Sequence, residues 1–292
     1  MKTRLVSVGC ALFVARFSLW AGIVGIGNSG AAGTPTSFYS VDPTTGSTSP
    51  FGQFFSSQYI AMSSSPVVGT FFASSPVNVY RINPFTGEFI GYLCVTAADC
   101  TNPASELAYD PSNQHVFGLS NIGSAPALVQ MVDKGLLPPG IGPPGSHEVA
   151  FLPIGTLGVT GIRLIEFVPG LGLYGTDGTG AGYQIDEVAG QARPLAPLSG
   201  VLLPITGLAY NFDTQQLFAS GGNYLGSGPG VIYRLDPLTG HLTVLNPAAA
   251  DLVGIAFVTL PEGQPVWMLL SGLTLCGVLR KRVRPCDQAI AT

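Results

Sequence analysis

Charge is what this sequence has least of. Lys and Arg together number 12, and Asp and Glu 16, in 292 residues. Between residues 33 and 262 only Arg81, Lys134, Arg163, Arg193 and Arg234 face 15 acids, a net 5 − 15 = −10. A surface so poor in cations excludes nucleic acid, whose phosphates need a basic face. Metal-ligand patterns are lacking too. His115, His147 and His241 each stand alone, with no second His or Cys at ligand spacing. No Gly-x-Ser-x-Gly elbow, phosphate-binding loop or His-Glu-x-x-His occurs. The reading is therefore non-enzymatic, with no cofactor and no metal. Helical composition is missing as well, because 39 glycines and 24 prolines would break any helical domain. A hydrophobic content of 46% excludes disorder. What remains is a β-rich domain with many turns.

That domain is built from two alternating hairpin motifs. The first runs from an aromatic residue through a strand to a tight turn. It appears as Tyr39-Ser-Val-Asp-Pro-Thr-Thr-Gly46, Tyr80-Arg-Ile-Asn-Pro-Phe-Thr-Gly87 and Tyr233-Arg-Leu-Asp-Pro-Leu-Thr-Gly240, with Tyr183-Gln-Ile-Asp-Glu-Val-Ala-Gly190 a looser copy. Asp or Asn caps the turn, Pro presets φ, and Gly takes the left-handed conformation that returns the chain. The second motif is an apolar strand, a polar turn and an apolar return: Leu107-Ala-Tyr-Asp110 to Val116-Phe-Gly118, Ile165-Glu-Phe-Val168 to Leu173-Tyr-Gly175, and Leu208-Ala-Tyr-Asn211 to Leu217-Phe-Ala219. Ile60-Ala-Met62 with Thr70-Phe-Phe72 is a degenerate copy. Ile255-Ala-Phe-Val258 is a last copy, cut off before its second strand.

Two hairpins make a four-stranded unit, and a degenerate Tyr-type strand at Val129-Gln-Met-Val-Asp133 fills the long gap. The period becomes roughly 40 to 50 residues, that of a propeller blade. The chain begins mid-unit and ends on a lone strand, so the two ends can share one blade. The expected fold is all-β, a β-propeller of about five four-stranded blades over 34–258. A β-sandwich with repetitive turns is the alternative. Pro138–Gly145 reads as an exposed loop open to proteolysis.

Chemistry is sparse on this scaffold. Asp42, Asn83, Asp186 and Asp236 read as turn caps rather than calcium ligands. The glycine-rich stretch Gly175–Gly182 precedes no helix and reads as a loop between blades, with Asp177 a weak cation candidate. In a propeller enzyme the central funnel would hold the reactive groups. Glu106, Asp110 and Glu166 are the candidates there, Glu166 standing inside an apolar strand. A strand residue facing solvent is the plainer reading of Glu166. Cys94 and Cys100 are the two cysteines of the exported region, and a short-loop disulfide fits an oxidising compartment, with two thiols as the alternative.

Both ends carry targeting patterns. Residues 1–32 read as a signal peptide: Lys2 and Arg4, an apolar stretch from Leu5 to Ile26 broken by Arg16, then small residues that fit signal-peptidase cleavage after Ala31 or Ala32. A retained N-terminal anchor is the alternative. Residues 259–292 hold Pro261-Glu262-Gly263, an uncharged run from Val266 to Leu279, and the cluster Arg280, Lys281, Arg282 and Arg284. As a helix that run spans about 21 Å, and Trp267 at one end with cations at the other orients it as a transmembrane helix over 266–279, basic side inward.

The order of turn, apolar run and basic cluster resembles the PEP-CTERM sorting signal of Gram-negative bacteria. The family motif is Pro-Glu-Pro; here Gly263 follows Glu262 and the second proline is delayed to Pro265. The resemblance implies export, transient anchoring and handling by an exosortase-type membrane protease. A plain membrane anchor is the other reading. The repeats over about 36–258 resemble the propeller-like domains found ahead of such tails. Together they imply an exported binding or structural module at the cell surface or in the extracellular matrix, with polysaccharide as the ligand class. A propeller hydrolase or lactonase-like enzyme with a metal in its funnel is the second expectation.

Overall fold

In the computed structural model of the protein the described residues are 22–27, 36–54, 61–67, 69–74, 78–84, 86, 88–95, 104–122, 125–223 and 228–259. Every regular element among them is a strand. The first three are β1 (Gly22–Gly27), β2 (Thr36–Val41) and β3 (Thr48–Phe54). Next come the meander β4 (Ala61–Ser64), β5 (Phe71–Ser74), β6 (Asn78–Ile82), β7 (Phe89–Leu93) and a second, β8 (Glu106–Asp110), β9 (His115–Ile122), β10 (Ala125–Leu136), β11 (His147–Thr156). Two more follow: β12 (Leu164–Val168), β13 (Gly172–Thr176), β14 (Gly182–Ile185), β15 (Ala192–Pro194), then β16 (Ile205–Asn211), β17 (Gln216–Gly221), β18 (Gly230–Leu235), β19 (Leu242–Ala249). The last strand, β20 (Leu252–Val258), returns to the start and pairs with β1, giving the order β20-β1-β2-β3.

Among the described residues all pairings between strands are antiparallel except one. The outer strands β7 and β11 touch in parallel through His147↔Tyr92 and Glu148↔Leu93, which joins two meanders edge to edge. His147 stacks on Tyr92 with ring centroids 5.3 Å apart, and its Nδ1 lies 2.7 Å from Asp133 Oδ2. The first strand of each unit is its inner one. Around the molecule β4 touches β8, β8 touches β12, β12 touches β16, β16 touches β20, and β20 touches β4. The inner strands thus close a ring, and the sheets radiate from it as the blades of a β-propeller.

The core sits between blades, one cluster per junction. Phe38 and Val24 of the closing sheet pack on Phe71. Phe72 and Tyr92 pack on Leu107 and Phe151. Phe117 and Leu128 pack on Ile165 and Leu173. Tyr174 packs on Tyr210 and Leu217. Phe218 and Ile232 pack on Ile23 and Ile255. Both faces of every inner strand are therefore covered, so the inner strands are buried throughout and do not alternate between core and solvent.

The repeat turns form as their chemistry dictates. Asp42 Oδ1 accepts from Thr44 N at 2.7 Å, Asp186 Oδ1 from Val188 N at 2.9 Å, Asp236 Oδ1 from Leu238 N at 2.9 Å, and Asn83 Oδ1 from Thr86 N at 3.2 Å. Gly46, Gly190 and Gly240 close the turns at φ of 69°, 71° and 68°, a region an L side chain rarely enters. Val129 takes the place of the missing tyrosine. It faces Gly118 across the ladder as Tyr80 faces Ala73 and Tyr233 faces Ala219. Residues Pro138–Gly145 are the exposed connection between β10 and β11.

One expectation changes. Gly175–Gly182 lies within one blade, as the end of β13 and the turn into β14, because its first residues pair with that strand. The strand β1, which lies within the residues read as leader, is fully buried between β20 and β2. The rest of the leader, the sorting motif Pro261, Glu262, Arg280, Lys281, Arg282 and Arg284, the run 266–279 and Cys100 lie outside the described residues. Cys94 is half-buried beside the cluster that includes Tyr92. No helix among the described residues is long and apolar enough to cross a membrane.

Candidate functional site

Register places one residue of each inner strand next to the motif's apolar anchor: Ser63, Ala108, Glu166, Ala209 and Ala256 follow Met62, Leu107, Ile165, Leu208 and Ile255. Four are small. Glu166 alone brings a carboxyl group to this layer. It is fully buried, which replaces the expectation of a solvent-facing side chain. The cause is the packing of blades on both sides of β12. Neither oxygen of Glu166 makes a well-aligned hydrogen bond, and burial drives its pKa well above the usual carboxylate value. The N–H groups of Phe167 and Tyr210 lie near enough to oppose that rise only in part.

Glu106 comes from the neighbouring strand β8 and is 5% exposed. Burial pushes its pKa well up, and the charge of Glu166 adds to the effect. The ring thus brings together two of the three funnel candidates. It does not bring the third. Asp110 ends β8, four residues or about 13 Å along the strand from Glu106. Its Oδ1 accepts from Ser112 N at 2.8 Å and caps the hairpin turn. Asn211 does the same in β16, accepting from Asp213 N at 2.9 Å and Thr214 N at 3.0 Å. The acidic end of the Leu-Ala-Tyr-Asp motif is a turn device, and the equivalent Asn211 was the signal that a charge is not needed there.

Buried hydroxyls add to this interior. Ser63, Ser74 and Ser120 carry Oγ atoms without a hydrogen-bond partner. Thr206 Oγ1, by contrast, donates to Leu252 O at 2.5 Å and ties β16 to β20. Asp177, the weak cation candidate, is occupied. Burial alone would raise its pKa, but the N–H groups of Ala181, Gly180 and Thr179, at 2.8 to 3.0 Å, hold it lowered. Among the described residues no group of three or more His, Cys, Asp or Glu is placed to share a metal ion. With every repeat carboxylate engaged by backbone N–H groups, millimolar Ca²⁺ and EDTA should leave the thermal midpoint of the purified protein unchanged. A calcium-dependent rise of several degrees would show that these turns bind metal.

No protein-family model matches the chain, and no curated protein matches it. Among solved structures it is similar to a chain of a nidogen/laminin complex, at 14% identity, over 80% of this chain and 81% of that one, with a TM-score of 0.47. A periplasmic gluconolactonase of Pseudomonas aeruginosa aligns at 12% identity over 82% of this chain and 99% of its own, with a TM-score of 0.46. A protein from Lactobacillus plantarum aligns at 16% identity over 83% and 68%, with a TM-score of 0.38.

Proposed function

We propose that the protein is an exported, non-enzymatic propeller of five blades that serves as a binding or structural module. In this reading the segment 259–292 holds it at the cell envelope of a Gram-negative bacterium. An exosortase-type protease then releases it to the surface or matrix, where polysaccharide is the ligand class. The five-blade count is supported by the cyclic order of the inner strands. The observation that carries the tethering is a single register pair. Gly22 lies opposite Val258, so the chain enters and leaves the propeller at one point. A tail fixed there holds the molecule by one corner of one blade and leaves the rest of its surface to partners. The net −10 of residues 33–262 sets those partners apart from nucleic acids and suits neutral ligands.

The test is the intact mass of the mature protein from envelope and medium, beside a chain lacking 259–292. Mature protein ending near Pro261, and loss of surface or matrix material on deletion, are the expected results. A mature protein that keeps Thr292 would make it a simple anchored protein. A localisation untouched by the deletion would remove the tethering altogether.

One observation favours a second reading, a propeller hydrolase or lactonase-like enzyme. Glu106 and Glu166 are buried on neighbouring inner strands, near enough for the charge of Glu166 to act on Glu106, and buried carboxyls are groups that acid–base or metal chemistry uses. That reading requires a divalent metal or an ester-hydrolysing activity in the purified full chain that Glu166→Ala abolishes.

A further inference from the structure

We propose that Gly22–Gly27 is a permanent strand of the mature protein, and that leader cleavage, where it occurs, falls at or before Gly22. The cleavage after Ala31 or Ala32 that the N-terminal pattern suggests would remove β1 whole.

The argument rests on register. In each of the other blades the second strand carries a small residue: Ala73, Gly118, Gly175 and Ala219. Each stands opposite an apolar inner-strand residue on one side, namely Met62, Leu107, Ile165 and Leu208. On its other side each faces the aromatic position of the third strand, at Tyr80, Val129, Tyr183 and Tyr233. In the closing blade Gly25 stands opposite Ile255 on one side and Tyr39 on the other. The equivalence extends along the strand: Ile23-Val24-Gly25 answers Val116-Phe117-Gly118, Leu173-Tyr174-Gly175 and Leu217-Phe218-Ala219. Gly22–Gly27 is thus the second strand that the motif ending at Val258 lacks, found at the opposite end of the chain.

Packing agrees with register. Ile23 is 0% exposed and joins the cluster shared with Phe218 and Ile232; Ile26 is 1% exposed and joins the one shared with Phe71. One strand therefore serves both junctions of its blade. Because β1 is antiparallel to both neighbours, β20 and β2 run parallel to each other, about 9.6 Å apart, twice the spacing of paired strands. Without β1 both would present unpaired backbone groups across an apolar slot. Composition points the same way. Three glycines among Ile and Val make Gly22–Gly27 a poor helix, whereas the leucines, alanines and phenylalanines before it suit a leader's apolar core. Ala21 is the small residue just before the strand, and a cut after it would leave Gly22 as the N-terminus.

The experiment uses the full chain, exported in a Gram-negative host. The N-terminus of the folded product is read by intact mass and terminal sequencing. A first residue anywhere from Met1 to Gly22 is the expected result, and any first residue beyond Gly22 overturns the inference. An N-terminus at Met1 would leave β1 in place while removing the cleaved leader, so the two readings fail separately. Ile26→Ala in the same chain gives a second measure. As a core strand residue it should lower the thermal midpoint of the mature protein by about 10 °C, and the milder Ile26→Val by a few degrees. A mature protein whose mass and midpoint match those of wild type in both variants would mean that residue 26 left with the leader.

Discussion

Replacing Glu166 by Gln should make the protein more stable than wild type at pH 8 and leave it unchanged at pH 4. The shape of the side chain is kept and only its ability to ionise is lost. In the native protein burial raises the pKa of Glu166 far above the 4.5 of an ordinary glutamate. The folded state therefore holds a proton that the unfolded chain releases. Such a group gives its full contribution below pH 4.5 and loses it as pH rises toward the folded value, at about 1.4 kcal/mol per pH unit. Wild type and variant should therefore have equal unfolding free energies at pH 4 and diverge steadily above pH 5. Denaturant titrations at pH 4, 6 and 8 test this. Parallel pH profiles would mean that Glu166 is ionised and compensated in the native state. Glu166→Ala carries the idea further, since Ala108, Ala209 and Ala256 occupy the equivalent positions. Its gain will be smaller by the cost of the cavity it leaves.

Gly207→Val should be the most damaging single change on the ring, costing about 3 kcal/mol or more. A Cβ at Gly207 would stand 2.7 Å from Ile255 N and 2.8 Å from Gly254 Cα. Both are backbone atoms of β20, so no rotamer change relieves the contact. The substitution would press β16 and β20 apart at the junction where Thr206 already draws them together. We expect a fall in thermal midpoint of about 6 to 12 °C. Gly180→Ala is the control, because nothing lies within 4 Å of its Cβ position. Equal effects of the two substitutions would show that the inner strands are not in close contact at Gly207.

The repeats were legible because turn chemistry is local. An Asp, a Pro and a Gly at fixed offsets announce a hairpin whatever surrounds it, and even Val129 could be placed by spacing alone. The burial of Glu166 was not legible. An isolated acid in an apolar strand reads as the solvent side of an alternating pattern, and only the packing of blades on both faces cancels that reading. The turn at Asp177 was assigned between blades because glycine-rich stretches look alike, and the ladder from β13 to β14 decides the matter. The hardest case was β1. An apolar, uncharged stretch near the N-terminus is what both a leader and a buried strand require, and its partner β20 lies at the far end of the sequence. Of the candidate site, the residue types were visible, but which two of three carboxyls meet depends on strand position and could not be read from spacing.

The pairing of β1 with β20 has a kinetic consequence. The strand needed earliest in the sequence waits for the one made last, so the ring cannot close until residue 258 has emerged from the ribosome. Until then the closing blade is open, and β1 keeps one unpaired edge while synthesis continues. A ring whose closing contact joins β1 to β20 stays open for as long as synthesis of the residues between them continues.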